Sequence, residues 1–160
     1  MGSGKSTIGK ALSERYNLSF VDLDDYIVKK QGMEITKIFE QFGEDKFREL
    51  EHEALNEVLL KNIIATGGGI VEQKENVSLM KEIGTIIYLH ATFAEIDHRL
   101  KGDQTRPLWL NSNLKEKQQL YARRNTLYRS CADYIISTDQ QTIHEIITNI
   151  MDKVTLNKSY

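Results

Sequence analysis

Gly2-Ser3-Gly4-Lys5-Ser6-Thr7 is the segment with the most specific chemistry in the chain. Gly4, Lys5 and Ser6 fill the last three places of G-x-x-x-x-G-K-[ST], the loop that wraps a nucleotide's phosphates. Its glycines let backbone N–H groups turn inward without a Cβ in the way, and a helix starting there adds its positive dipole end. Helical spacing of Ile8, Ala11 and Leu12 begins at once. A flexible Gly/Ser-rich terminus would not require that continuation. Lys5 then faces the β- and γ-phosphates, the Ser6 hydroxyl suits Mg²⁺, and Gly2, Ser3 and Thr7 complete an ATP cradle.

Other candidate groups recur where strands give way to helices. Asp22 and Asp24, one residue apart at a strand end, are expected to project to the same side. One suits a metal's water shell, the other a proton from a substrate hydroxyl; the plainer reading has Asp24 only capping the next helix. Arg48 and Glu51, three apart on a helix, are either a surface ion pair or an Arg fork held by Glu51 to take a small carboxylate. Phe39 and Phe47 would wall such a pocket. Gly67, Gly68 and Gly69 after the second strand let a substrate approach bare backbone, if they are more than a loose turn. Arg106, beside the only proline, Pro107, lies in the stretch 101–113, which lacks periodicity and fits a closing lid. His52, His90, His98 and His144 show no metal-ligand spacing, and Cys131 reads as a small buried apolar residue.

These groups need a scaffold, and the periodicity supplies one. Short apolar runs at 18–23, 62–66, 85–89 and 134–137 alternate with helical patterns near 5–16, 24–30, 34–42, 45–60, 73–82, 93–100, 114–131 and from Thr142 onward. That is an α/β chain, a parallel sheet with helices on both faces, and such sheets bind ligands beyond the carboxyl ends of their strands. All the motifs above sit at such ends or on the helix just after. A chain of 160 residues makes one domain, 1–160. A net charge of −2 argues against a polyanion-binding surface, and no apolar run approaches a membrane span.

The segments MGSGKSTIGKAL (1–12), FVDLDDYI (20–27), IFEQFGEDKFRELE (38–51), IIATGGGIV (63–71), TRPL (105–108) and RRNTLYRSCADYII (123–136) together resemble shikimate kinase almost end to end. The resemblance implies a three-layer P-loop kinase with a five-stranded parallel sheet, a substrate-binding region near 24–60 and a lid near 101–113. It implies transfer of the ATP γ-phosphoryl group, with Mg²⁺, to the 3-hydroxyl of shikimate by a cytoplasmic monomer of the aromatic amino-acid pathway. It places Lys5 on the phosphates, Ser6 and Asp22 at the metal, and Asp24 on the hydroxyl that attacks. Arg48, fixed by Glu51, and Arg124 would clamp the carboxylate, with Gly67, Gly68 and Gly69 lining the same pocket. Arg106 would descend from the lid, and Arg99 would lie near the adenine. Arg99 and Arg124 rest on the resemblance alone. The chain departs from the family at its start, which lacks the first strand and the first glycine of the loop. The expectation is an N-terminally shortened chain, whose neighbouring strands face a gap and which folds poorly and turns over slowly.

Three other functions compete. One is a P-loop kinase for another small hydroxy acid, such as gluconate. Another is a nucleotide-dependent module without catalysis, which would be expected to have lost Asp24 or Arg106. The third is nucleic-acid binding through Arg123, Arg124 and Arg129, which the charge balance does not favour.

Overall fold

The computed structural model describes residues 2–59, 63–103, 105 and 107–156. Arg106, the expected lid arginine, and Asn62, the expected start of the second strand, lie outside the described residues. In chain order the elements are α1 (Lys5–Tyr16), β1 (Phe20–Asp22), α2 (Leu23–Gln31), α3 (Ile35–Glu57) and β2 (Ile63–Ala65). A 3-10 turn at Ile70–Glu72 leads into α4 (Lys74–Ile83), β3 (Ile87–His90) and α5 (Phe93–Arg99). Then come α6 (Pro107–Leu110), α7 (Leu114–Cys131), β4 (Tyr134–Ser137) and α8 (Ile143–Leu156).

The strands pair in parallel as β1 with β2 and β3 with β4. Among the described residues β2 and β3 do not pair with each other. Ile64 of β2, Ile87 of β3 and Ile86 just before it face a shared groove. Apolar side chains on both faces of each pair fix the layers. Leu23, Ile27, Ile38, Leu55 and Ile70 are almost wholly buried together on one side. Ile8, Leu12, Ile146, Ile147 and Ile150 close the other side over Leu89 and Ile136. Each such side chain contributes roughly 1.5–3 kcal/mol on burial.

Three expectations change. Asp22 and Asp24 do not share a strand. The Asp22 carboxylate accepts from the backbone N–H of Asp24 at 3.0 Å and of Asp25 at 3.4 Å, so it caps α2 and ends β1, and Asp24 sits in the first helical turn. The two helices expected at 34–42 and 45–60 run on as α3 with a kink at Gly43, whose φ of 81° and ψ of 175° suit glycine. Phe39 and Phe47 lie on opposite sides of that kink with ring centroids 5.0 Å apart. An unbroken helix would set them about 12 Å apart along its axis. Finally, the stretch 101–113 is not wholly irregular. Pro107, suited by its fixed φ to open a helix, begins the single turn α6, which packs Trp109 against Ala91, Ile96 and Leu100.

Candidate active site

The phosphate loop is built as its residue types require. Gly2 and Gly4 have φ of 61° and 86°, in the left-handed region, and Gly4 caps α1. Ser3, between the two glycines, is buried. The Ser6 hydroxyl donates to Asp22 Oδ2, while Asp22 Oδ1 takes the capping bonds of α2. One carboxylate therefore ties the loop helix to the end of β1. Thr7 follows Ser6 in the first turn of α1. Arg99 lies against the same loop from α5. Its guanidinium donates to the Gly2 carbonyl at 3.4 Å and the Thr138 carbonyl at 3.3 Å, and its Nε is paired with Glu95.

A cavity opens beside this loop. Lys5, Asp24, Phe39, Phe47, Arg48 and Glu51 all line it. Gly67, Gly68, Gly69 and Arg124 line it too, as do Pro107, Leu108 and Trp109 from the expected lid. The reading from sequence requires Lys5, Asp24 and Arg48 to face one hollow, and they do.

The Arg48 side of the cavity is a buried ion cluster. Arg48 is only 7% exposed and Glu51 is fully buried, so their pair is not the surface contact that the spacing alone allows. Arg48 Nη1 is bonded to Glu51, and its Nε and Nη2 donate to Glu44 Oε1 at 3.2 and 2.9 Å. Three fixed bonds hold the guanidinium in one orientation. Burial disfavours its charge, but Glu51 and Glu44 outweigh that and hold its pKa above the ordinary value. Glu51 Oε1 is buried without a hydrogen-bond partner. A Cβ on Gly67 would press against that oxygen and lie 2.9 Å from Asp24 Oδ1, and one on Gly69 would press against the Arg48 guanidinium. The bare glycine turn is thus what lets two carboxylates and an arginine converge.

Two positioning groups carry no strong sequence signal. The Tyr128 hydroxyl donates to the Gly68 carbonyl, which pins the turn to α7. Glu72 Oε1 accepts from Arg124 Nε at 2.9 Å and Arg123 Nη2 at 2.7 Å. Tyr128 stands four residues after Arg124, so both lie on one face of α7, and of the two Arg124 lines the cavity. Phe42, three residues after Phe39, is 59% exposed.

Glu51 makes the site sensitive to pH. Burial raises its pKa from 4.5 to about 7, further raised by Asp24 and offset in part by Arg48 and Arg124. Between those two values the folded chain binds more protons than the unfolded chain, so stability falls as pH rises through this window and is flat above it. The fall is on the order of 3 kcal/mol. Melting curves of the wild type should drop from pH 5 to pH 8, and Glu51→Gln should lack that step. Parallel profiles for the two proteins would refute the assignment. Affinity for a carboxylate ligand should move oppositely, rising with pH as ionised Glu51 secures Arg48.

A phosphate loop, an acid and a guanidinium facing one cavity on a parallel α/β scaffold define a P-loop small-molecule kinase. The shikimate kinase family profile matches residues 1–155, and the chain belongs to that family. A shikimate kinase of Sulfurihydrogenibium sp. (strain YO3AOP1) is 40% identical over 156 residues, covering 96% of this chain and 93% of the relative. A structure described as shikimate kinase from Acinetobacter baumannii in complex with shikimate superposes with a TM-score of 0.94 at 35% identity, covering 100% of this chain and 91% of the other. A gluconokinase from Sinorhizobium meliloti 1021 shares the fold alone, with a TM-score of 0.55, 13% identity, and coverage of 100% of this chain and 93% of the other.

Proposed function

We propose that this chain transfers the γ-phosphoryl group of ATP to the 3-hydroxyl of shikimate, giving shikimate 3-phosphate and ADP in aromatic amino-acid biosynthesis. The observation that carries the reading is the convergence of Lys5, Asp24 and Arg48 on one cavity. Family membership supports it.

Lys5 and the loop amides of Gly2, Ser3, Gly4, Ser6 and Thr7 hold the phosphates, and Arg99, braced against Gly2, borders the nucleotide. Arg48 and Arg124 take the substrate carboxylate, Glu51 and Glu44 fix Arg48, and Phe39 and Phe47 wall the ring. The substrate hydroxyl oxygen forms a bond to the γ-phosphorus, the bond from that phosphorus to the β-phosphate oxygen breaks, and the hydroxyl proton passes to Asp24. Arg106 would supply charge from the lid.

Mg²⁺ fits the oxygen donors of Ser6 and Asp22. Both Asp22 oxygens already accept bonds from the protein, so the carboxylate suits a contact through water. When bound, the ion would neutralise charge on the β- and γ-phosphates. The same reading has residues 1–160 acting as one domain, a cytoplasmic monomer that handles small molecules rather than nucleic acid or membrane.

ADP release measured with shikimate, with gluconate and without acceptor tests the proposal. Stimulation by shikimate alone is expected. Equal stimulation by gluconate would favour the rival kinase, and release unaffected by either acid would favour a module without catalysis.

A further inference from the structure

Glu72 stands outside every motif that the sequence singles out, yet it touches one of the two arginines assigned to the substrate carboxylate. It closes the 3-10 turn that follows the three glycines, and its backbone N–H donates to the Gly69 carbonyl at 2.9 Å. Its side chain crosses to α7, where a single oxygen accepts from Arg124 Nε and Arg123 Nη2. The two arginines differ sharply. The Arg124 side chain is 5% exposed and lines the cavity, whereas that of Arg123 is 62% exposed and does not.

We propose that Glu72 is a positioning residue for shikimate recognition, acting through Arg124. The inference rests on Arg124 binding the substrate carboxylate. An arginine side chain has four rotatable bonds and much rotamer freedom to lose when it captures a ligand. A bond from Nε to an acceptor anchored on the glycine turn removes that freedom in advance and turns the terminal nitrogens toward the cavity. The carboxylate also offsets one of two neighbouring cations, leaving a net single positive charge for an anionic ligand. Burial works against the Glu72 charge, but Arg124 and Arg123 hold its pKa below the ordinary value, so the anchor stays ionised at neutral pH. On this account the glycine turn fixes both arginines, one by close packing on Gly69 and the other through the side chain three residues on.

The test uses steady-state kinetics on the full chain. Glu72→Ala should raise KM for shikimate about tenfold or more, the scale of one lost charge-assisted hydrogen bond, with kcat and KM for ATP within about threefold. Glu72→Gln, which keeps an acceptor of the same reach, should recover most of the affinity. Arg123→Ala should change KM for shikimate by less than about twofold, because an exposed pair contributes little. A purely structural clamp between the turn and α7 would instead lower melting temperature and kcat and raise both KM values together, and that result overturns the proposal. So does an unchanged KM in Glu72→Ala. Arg124→Lys separates the two layers of the argument. If it leaves KM for shikimate unaltered, the carboxylate role of Arg124 is wrong and the proposal goes with it. If it raises KM while Glu72→Ala does not, only the role of Glu72 fails.

Discussion

Asp24→Asn should lower kcat by about 10²- to 10⁴-fold, the usual contribution of a positioned general base, while ATP affinity stays within a few-fold of wild type. The division follows from which acid touches what. Asp22 holds Ser6 and caps α2, so it belongs to the nucleotide side. Asp24 lines the cavity with Arg48, and its Oδ1 approaches the bare Cα of Gly67 beside the buried oxygen of Glu51. Asparagine keeps the shape and cannot accept the proton. The variant carries its own folding control. Asp24 is one of the charges that raise the Glu51 pKa, so removing it should shift the pH-dependent step in stability toward lower pH. A stopped reaction with that shift present means an intact but baseless site. A parallel loss of ATP affinity would move Asp24 into the metal shell and out of the proposed role.

The parts of this arrangement that sequence reveals are those that depend on local rules. Loop glycines, the lysine and the hydroxyl residue occupy fixed offsets because phosphate geometry demands it, and α1 follows by periodicity. Strand and helix positions along the chain were legible to within a few residues for the same reason. Spacing alone left Arg48 and Glu51 undecided, since i and i+3 describe a solvent-exposed pair as well as a buried one. Their burial is decided by α2, the glycine turn and α7 arriving from elsewhere in the chain. Asp22 and Asp24 misled because strand geometry was carried one residue too far, and a capping side chain ended β1 between them. Glu72 and Tyr128 stayed hidden because their partners are 52 and 60 residues distant. A glutamate near the end of a glycine-rich turn has no pattern to announce it.

Gly69→Ala should strike shikimate recognition through Arg48 while leaving the nucleotide side intact. Gly69 has φ −92° and ψ −6°, a conformation open to any residue, so alanine brings no backbone strain. Reduced freedom of the unfolded chain should even favour the variant by about 0.4–1 kcal/mol where the new methyl fits. The methyl does not fit, because its position is taken by both terminal nitrogens of Arg48. That guanidinium cannot swing aside cheaply while Glu51 and Glu44 hold three of its nitrogens in a buried setting. Either Arg48 or the turn must yield, and a misplacement of about 1 Å in a binding clamp costs on the order of 10²-fold. The expected result is a loss near that size in kcat/KM for shikimate, with KM for ATP unchanged and melting temperature lowered by the overpacking, which typically costs about 1–3 kcal/mol. Gly43→Ala is the reverse case. Its Cβ would meet nothing within 4 Å, yet φ of 81° with ψ of 175° is costly for alanine by about 1–3 kcal/mol. There the thermal transition should fall, and shikimate recognition should suffer only as far as the kink that joins Phe39 to Phe47 relaxes. If Gly69→Ala binds shikimate as the wild type does, Arg48 is mobile after all and the rigid clamp inferred from its three bonds is wrong.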